Sequence, residues 1–183
     1  MTEPAKTVAV IASGTALSSI LSMVLAGDMR LRVRQFETEA ALCAYMRLAT
    51  VDMLVCDFDS EEAPAAVLVH RLRRDETIEN RDFAAIALTR TVTTTVRHNA
   101  IRAGIDEVIV KPMSPRHLLA RVQARLRADR PLVTGDNGYR GPERRDRVSF
   151  GVAPQQYQRR GTDNVIPLFP DRRAAPAHPG LRG

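Results

Sequence analysis

A four-residue motif occurs twice in the last third of the chain, and its residue types suit the recognition of a nucleotide. Each copy contains an arginine, a glycine, a variable residue and an acid, at residues 140–143 and 160–163, with Tyr139 or Tyr157 close before it. An arginine guanidinium matches the O6 and N7 acceptors of guanine, and a carboxylate accepts from the N–H donors of the Watson–Crick edge. Arginine also stacks on bases and pairs with phosphates. The repeat therefore predicts contacts to guanines and their phosphates.

Additional arginines lie next to both copies and extend the candidate site. We expect the arginines to contact bases or phosphates and the two acids to accept from guanine, while each tyrosine either stacks on a base or docks on the folded domain. The predicted ligand-binding residues are Tyr139, Arg140, Glu143, Arg144, Arg145, Arg147, Tyr157, Arg159, Arg160 and Asp163.

A second set of reactive side chains follows the apolar runs of the first two thirds of the chain. Asp57 ends one run, Thr89 ends the next, and Lys111 and Ser13 directly follow two others. The carboxyl ends of parallel strands meet at one edge of a sheet, where ligands of open α/β folds bind. We therefore expect these four side chains to lie close together.

The elements that position these residues alternate between strand and helix five times. Apolar, β-branched runs predict strands at residues 7–12, 31–36, 52–57, 83–88 and 106–110. Helical periodicity predicts a first helix that follows Thr15 and runs through Ala26, helices at 37–48 and 64–74, a fourth that ends at Ala103 and a fifth after Ser114. Thr15 and Ser114 are predicted N-caps, and Gly104 a C-terminal stop. The pattern indicates an α/β fold with a five-stranded parallel sheet.

Composition changes near Pro131 and predicts a boundary there. Residues 131–183 hold seven of the 11 prolines, seven of the 10 glycines and nine arginines against five acids. Such a segment buries too little apolar area to offset its ordering entropy. We predict one folded domain at residues 1–130 and a largely disordered arginine-rich tail at 131–183 that becomes ordered when a ligand binds.

The same composition argues against several functional classes. The two cysteines and four histidines have no metal-ligand spacing, and no catalytic arrangement is evident, so we expect neither an enzyme nor a resident metal or cofactor. No apolar run approaches the roughly 20 residues that span a bilayer. Reduced thiols and the absence of a leader predict a cytoplasmic protein.

Residues 6–128 resemble a response-regulator receiver domain of the CheY type, a flavodoxin-like (βα)5 fold. The resemblance implies that Asp57 is the phosphoacceptor, that Thr89 is the switch hydroxyl and that Lys111, followed by Pro112, pairs with the phosphate. It also implies a partner-binding surface around residues 95–128.

Two departures from this family affect function. Ala12 and Ser13 stand where the family has two acids that help to hold Mg²⁺, and Val108 stands where it has an aromatic switch residue. Mg²⁺ prefers carboxylate ligands, and phosphoryl transfer depends on it to neutralise charge. We therefore expect no Mg²⁺-dependent phosphorylation and interpret Asp57, Thr89 and Lys111 as a vestigial, ion-paired cluster.

The tail carries a second resemblance. Arg160 and Asp163 are similar to the Arg-x-x-Asp motif by which diguanylate cyclases bind inhibitory cyclic di-GMP, and Arg140 and Glu143 repeat it with glutamate. Arg140 and Arg144 also match the Arg-x-x-x-Arg of PilZ domains, whose partner motif is absent. A receiver with such a tail resembles the Cle group, CheY-like cyclic di-GMP effectors of the flagellar motor. The resemblance implies cyclic di-GMP as ligand, the motor switch as partner and a location at the flagellar pole.

Two alternatives remain from the residues alone. One is a phosphorylation-dependent response regulator, and the other is an adaptor whose basic tail binds nucleic acid nonspecifically. A DNA-binding arm gains nothing from carboxylates among its arginines, so the acids of the repeat favour the dinucleotide.

Overall fold

The computed structural model describes residues 4–59, 64–127, 131–135, 139–143 and 165–166. The strands in these ranges are β1 (Lys6–Ile11), β2 (Leu31–Phe36), β3 (Met53–Asp57), β4 (Ala84–Thr89), β5 (Glu107–Val110), β6 (Leu132–Thr134), β7 (Arg140–Pro142) and β8 (Val165–Ile166). The helices are α1 (Thr15–Ala26), α2 (Glu39–Met46), α3 (Ala65–Arg74), α4 (Thr94–Ala103) and α5 (Pro115–Arg127).

The predicted five-stranded parallel sheet is confirmed. Its strands follow the order β2-β1-β3-β4-β5, and each predicted strand boundary lies within one residue of the observed one. β2 is at the edge and has only exposed and half-buried residues, whereas every residue of β3 and β4 is buried. Helices cover both faces of the central strands, which explains why their sequences are continuously apolar.

Two apolar layers join the helices to the sheet. Val8 and Val10 of β1 pack with α1 and α5, while Ala9 and Ile11 pack with α2, α3 and α4. This division follows from the alternation of side chains along a strand. Because α1 and α3 begin on opposite faces, the ends of β1 and β3 lie at a crevice between them.

Local signals at helix ends were predicted with mixed success. Gly104 ends α4 in the left-handed region at a φ of 78°, and Ser114 Oγ accepts from the His117 N–H at 3.2 Å, as predicted. The N-cap assignment of Thr15 is wrong. Gly14 occupies that position at a φ of 86°, so Thr15 is already the first helical residue.

A buried arginine connects α3 to the amino ends of β4 and β5. Arg73, 1% exposed, donates to the carbonyls of Phe83 and Gly104 at 3.0 and 2.9 Å, and its guanidinium lies 4.6 Å from the Phe83 ring centre. Its Nη2 is also 3.5 Å from Asp106 Oδ2. These contacts fix Gly104 at the surface where a later segment of the chain packs.

Short strands also occur after Pro131, where the sequence predicted no regular structure. β6 and β7 form an antiparallel hairpin, and β8 pairs antiparallel with β5, with Ile166 opposite Val108. Main-chain bonds from Gly135 to Tyr139 (2.8 Å) and from Glu143 to Pro131 (2.7 Å) complete the hairpin. Residues 131–135 and 139–143, called here the docked hairpin, therefore differ from the prediction. Within the described ranges, no helix has the length and apolar content needed to cross a membrane.

Candidate functional site

The reactive residues that end β3 and β4 or follow β1 and β5 lie together at the carboxyl ends of these strands. Lys111 Nζ donates to Asp57 Oδ1 at 2.7 Å, and Ser13 Oγ donates to Asp57 Oδ2 at 2.5 Å. Asp57 Oδ1 also accepts from the Asp59 N–H at 3.1 Å. Because Asp57 is 2% exposed, these three donors take the place of water around its carboxylate. We call Ser13, Asp57, Asp59, Thr89 and Lys111 the phosphoacceptor edge.

Thr89 is hydrogen-bonded to the carboxylate of Asp59. Its Oγ1 lies 2.7 Å from Asp59 Oδ1 and 2.9 Å from the Thr91 carbonyl, so its single proton has two acceptors close to it. Asp59 also accepts from the Arg90 N–H at 2.6 Å and lies 3.3 Å from Lys111 Nζ. Asp59, which the sequence analysis did not include in the site, thus connects Thr89 to Lys111.

The bonds around Asp59 change its acidity. Partial burial raises the pKa of this carboxyl, but hydrogen bonds from Thr89, Arg90 and Lys111 together hold the pKa below its ordinary value of 3.8. Asp59 is therefore a charged partner for Lys111 at neutral pH.

The side chains of the phosphoacceptor edge do not fit a Mg²⁺ ion. Each oxygen of Asp57 already accepts a hydrogen bond from Lys111 or Ser13, and position 12 is an alanine. No group of three or more His, Cys, Asp or Glu side chains in the described part of the chain could hold a metal. Ser13 places an uncharged hydroxyl, which donates to Asp57, where the family has a carboxylate, and carboxylate oxygen is the ligand that Mg²⁺ prefers.

The position of the family's aromatic switch residue is part of the core. Val108 is 1% exposed and belongs to the apolar layer beneath α2, α3 and α4. A small aliphatic side chain packed in this way has no alternative exposed position to swing into. A rearrangement of Thr89 therefore cannot be relayed to the domain surface by a large side chain at position 108.

Three of the predicted ligand-binding residues belong to the docked hairpin, at the opposite end of the sheet. Arg140 donates through Nε to Asp82 Oδ1 at 3.0 Å, and its Nη2 lies 2.8 Å from the same oxygen. Tyr139 donates its hydroxyl proton to the Pro142 carbonyl at 2.8 Å, and Glu143 bonds to Pro131 through its main chain. The other predicted residues lie outside the described ranges: Arg144, Arg145, Arg147, Tyr157, Arg159, Arg160 and Asp163.

Two glycines explain how the hairpin approaches the domain. A Cβ atom on Gly104 would lie 2.5 Å from the Arg140 carbonyl oxygen, and one on Gly141 would lie 2.8 Å from Gly104 Cα and 2.7 Å from Tyr139 Oη. Only glycine at both positions allows the two backbones to come this close. The glycine of the first motif copy is therefore required for packing.

Little in the amino-acid sequence indicates this contact. Gly104 is recognisable as a helix stop, but its second role appears only when Gly141, 37 positions later, is placed against it. Asp82 is an ordinary acid in a polar loop until Arg140 is seen beside it.

Comparisons with known proteins agree with this architecture. A family model described as the response regulator receiver domain matches residues 8–123. A response regulator from Thermotoga maritima is 22% identical with a TM-score of 0.59, and the match covers 68% of this chain and 99% of that one. The chemotaxis protein CheY4 of Vibrio cholerae is 16% identical with a TM-score of 0.60, over 66% of this chain and 98% of that one.

A CheY-like receiver domain protein from Methanospirillum hungatei is also similar, with 18% identity, a TM-score of 0.59 and coverage of 67% of this chain and 94% of that one. No curated protein matches the chain in sequence. The family match ends at residue 123, before the docked hairpin begins. On the evidence of its matched residues, its sheet order and its strand-end cluster, the chain belongs to the response regulator receiver domain family.

Proposed function

We propose that this receiver protein is a cyclic di-GMP effector whose C-terminal segment captures the dinucleotide and thereby changes receiver binding to the flagellar motor switch. The observation that carries the proposal is the repeated Arg-Gly-x-acid motif at residues 140–143 and 160–163. Receiver domains act through partner proteins, and in this chain the receiver domain is followed by a segment whose residue types suit guanine binding.

The chemistry of the ligand matches the repeat. Cyclic di-GMP offers two guanines and two phosphates, which call for paired donors on the O6/N7 edges, acceptors for N1–H and N2–H₂, and cations for the phosphates. Arg140 and Arg160 supply the paired donors for the O6/N7 edges. Glu143 and Asp163 supply the acceptors for N1–H and N2–H₂. Arg144, Arg145, Arg147 and Arg159 are available for phosphates or stacking, and Tyr139 and Tyr157 for stacking.

The attachment of the segment to the receiver supports a route from ligand to partner. The first motif copy begins in β7, which packs against α3. β8 begins two residues after Asp163 and pairs with β5, within the region expected to bind a partner. A ligand that engages both copies would therefore act on chain segments directly linked to that surface, as the resemblance to the Cle group implies.

Calorimetry with cyclic di-GMP tests the ligand. We expect micromolar or tighter binding to the full chain, a loss of at least about tenfold in Arg160→Ala, which removes a charge-assisted contact, and no binding after truncation at Arg130. Arg172→Ala is the matched control, because Arg172 has no acid three positions later. Retained affinity in the truncated protein would refute the tail site.

The two alternative functions predict different results. A phosphorylation-dependent regulator would gain a stoichiometric phosphate when incubated with acetyl phosphate and Mg²⁺, and Asp57→Ala would lose it; intact-mass measurement decides this. A nucleic-acid adaptor would bind duplex DNA with a steep salt dependence and ignore the dinucleotide. We expect neither, and we expect no enzymatic activity.

A further inference from the structure

The arginine of the first motif copy has an acidic partner within the receiver. Asp82 lies two residues before β4, and its Oδ1 is 3.0 Å from Arg140 Nε and 2.8 Å from Arg140 Nη2. The two side chains are 45% and 27% exposed, so the pair can open towards solvent without disturbing the core. The same Nε and Nη2 atoms form the edge by which an arginine binds a guanine or a phosphate in bidentate fashion.

The main chain of the motif, by contrast, is held firmly. Gly141 packs directly against Gly104, the Glu143 N–H is bonded to Pro131, and the Tyr139 hydroxyl is bonded to the Pro142 carbonyl. The guanidinium can therefore exchange acceptors while β7 stays in place.

We propose that Asp82 is a specificity-determining residue for the ligand of the first motif copy, because its carboxylate occupies Arg140 and must be displaced before the ligand can bind there. This inference rests on the proposed function. One edge of one guanidinium cannot serve Asp82 and a ligand at the same time. A ligand with a single weak acceptor does not replace the ion pair, whereas a phosphate or the O6/N7 edge of guanine does.

The experiment compares cyclic di-GMP binding by calorimetry to the full chain, to Asp82→Asn and to a matched charge control, Glu76→Gln. Glu76 lies in the same α3–β4 connection, but its side chain is 88% exposed and is 4.0 Å from its nearest cation, Arg81. We expect Asp82→Asn to tighten binding about two- to fivefold, the range that an exposed ion pair supports. Glu76→Gln should leave the affinity unchanged.

A double-mutant cycle separates competition from a general effect on the hairpin. In an Arg140→Ala background, Asp82→Asn should no longer tighten binding, because the pair that it breaks is already absent. Hydrogen exchange of the Gly135 and Glu143 amides without ligand reports whether the hairpin stays docked in each variant. If Asp82→Asn does detach the hairpin, the cycle still decides whether the affinity change passes through Arg140.

The possible failures can be distinguished. Equal or weaker binding by Asp82→Asn, beside normal binding by the unaltered chain, would overturn the role of Asp82 and leave the proposed function standing. If Asp82→Asn tightened binding equally in the Arg140→Ala background, the role of Asp82 would also be overturned and the proposed function would stand. If the unaltered chain fails to bind the dinucleotide at all, the proposed function fails, and the role of Asp82 fails with it.

Discussion

The two ends of the sheet differ in how their charged side chains are paired. At the carboxyl ends, both oxygens of the buried Asp57 are bonded to donors from the receiver itself, Lys111 and Ser13. At the amino ends, the half-exposed pair of Asp82 and Arg140 joins the receiver to a later segment of the chain. At the carboxyl ends, where the family resemblance implies chemistry, the charged side chains are paired within the receiver. At the amino ends, the guanidinium of Arg140 can exchange Asp82 for another acceptor.

Burial explains why the two ends should respond differently to a ligand. A buried charge that loses its partner is strongly destabilised, whereas an exposed ion pair contributes at most about 1 kcal/mol. Asp57 is 2% exposed and Asp82 is 45% exposed at the side chain. Breaking the pair of Asp82 and Arg140 at the hairpin therefore costs far less free energy than breaking the pair of Asp57 and Lys111 at the phosphoacceptor edge.

The largest expected effect comes from removing the cation at each end in turn. Lys111→Met leaves Asp57 buried with one donor side chain, and we expect the free energy of unfolding to fall by about 2–4 kcal/mol. Arg140→Met, the matched change at the hairpin, should cost less than about 1 kcal/mol. Urea denaturation at neutral pH measures both, and equal losses would contradict the comparison.

A smaller effect is expected from crowding the backbone contact of the hairpin. Gly141→Ala places a methyl group 2.8 Å from Gly104 Cα, and overpacking of this kind costs about 1–3 kcal/mol. The hairpin should loosen while the sheet stays intact, seen as faster hydrogen exchange at the Glu143 amide and unchanged exchange in β3. Val133→Ala in the same hairpin is the control, since that side chain is already exposed. Undiminished protection at Glu143 would show that the Gly104 contact is not what holds the hairpin.

The smallest effect concerns the pH dependence of Asp59. Hydrogen bonds hold the folded-state pKa of this carboxyl below its ordinary value of 3.8, so its contribution to stability is present above that value and is lost as the pH falls through the lowered pKa. Asp59→Asn should destabilise the protein by less than about 1 kcal/mol at pH 7. The difference from the unaltered chain should shrink below pH 3.8. Urea midpoints at several pH values measure it, with the exposed Glu79→Gln as control; a pH-independent difference would count against a charged Asp59.

The sequence predicted the parallel sheet well because its signals are local or periodic. Continuous apolar runs identified β3 and β4. Asp57 and Thr89 were placed at the right edge because they end these strands, and Lys111 because it directly follows β5. The network between them was harder to foresee. Asp59 reaches Thr89 and Lys111 only through the path of the loop after β3, which no spacing rule describes.

The docked hairpin escaped prediction for a different physical reason. Its short strands have weak intrinsic preference, and most of what holds them is contact with distant residues, Gly104 and Asp82. Composition after Pro131 predicts a change in the chain, but it cannot identify ten residues that gain structure from tertiary packing. The second motif copy lies outside the residues that the structure describes, and its role stays a prediction.

An NMR titration of the full chain with cyclic di-GMP tests the central claim most directly, because it observes both ends of the sheet in one experiment. We predict shifts at the amides of Asp82, Arg140 and Glu143, with those of Ser13, Asp57 and Lys111 nearly unchanged. Shifts centred on the phosphoacceptor edge, or no shifts at saturating dinucleotide, would contradict an input through the C-terminal segment.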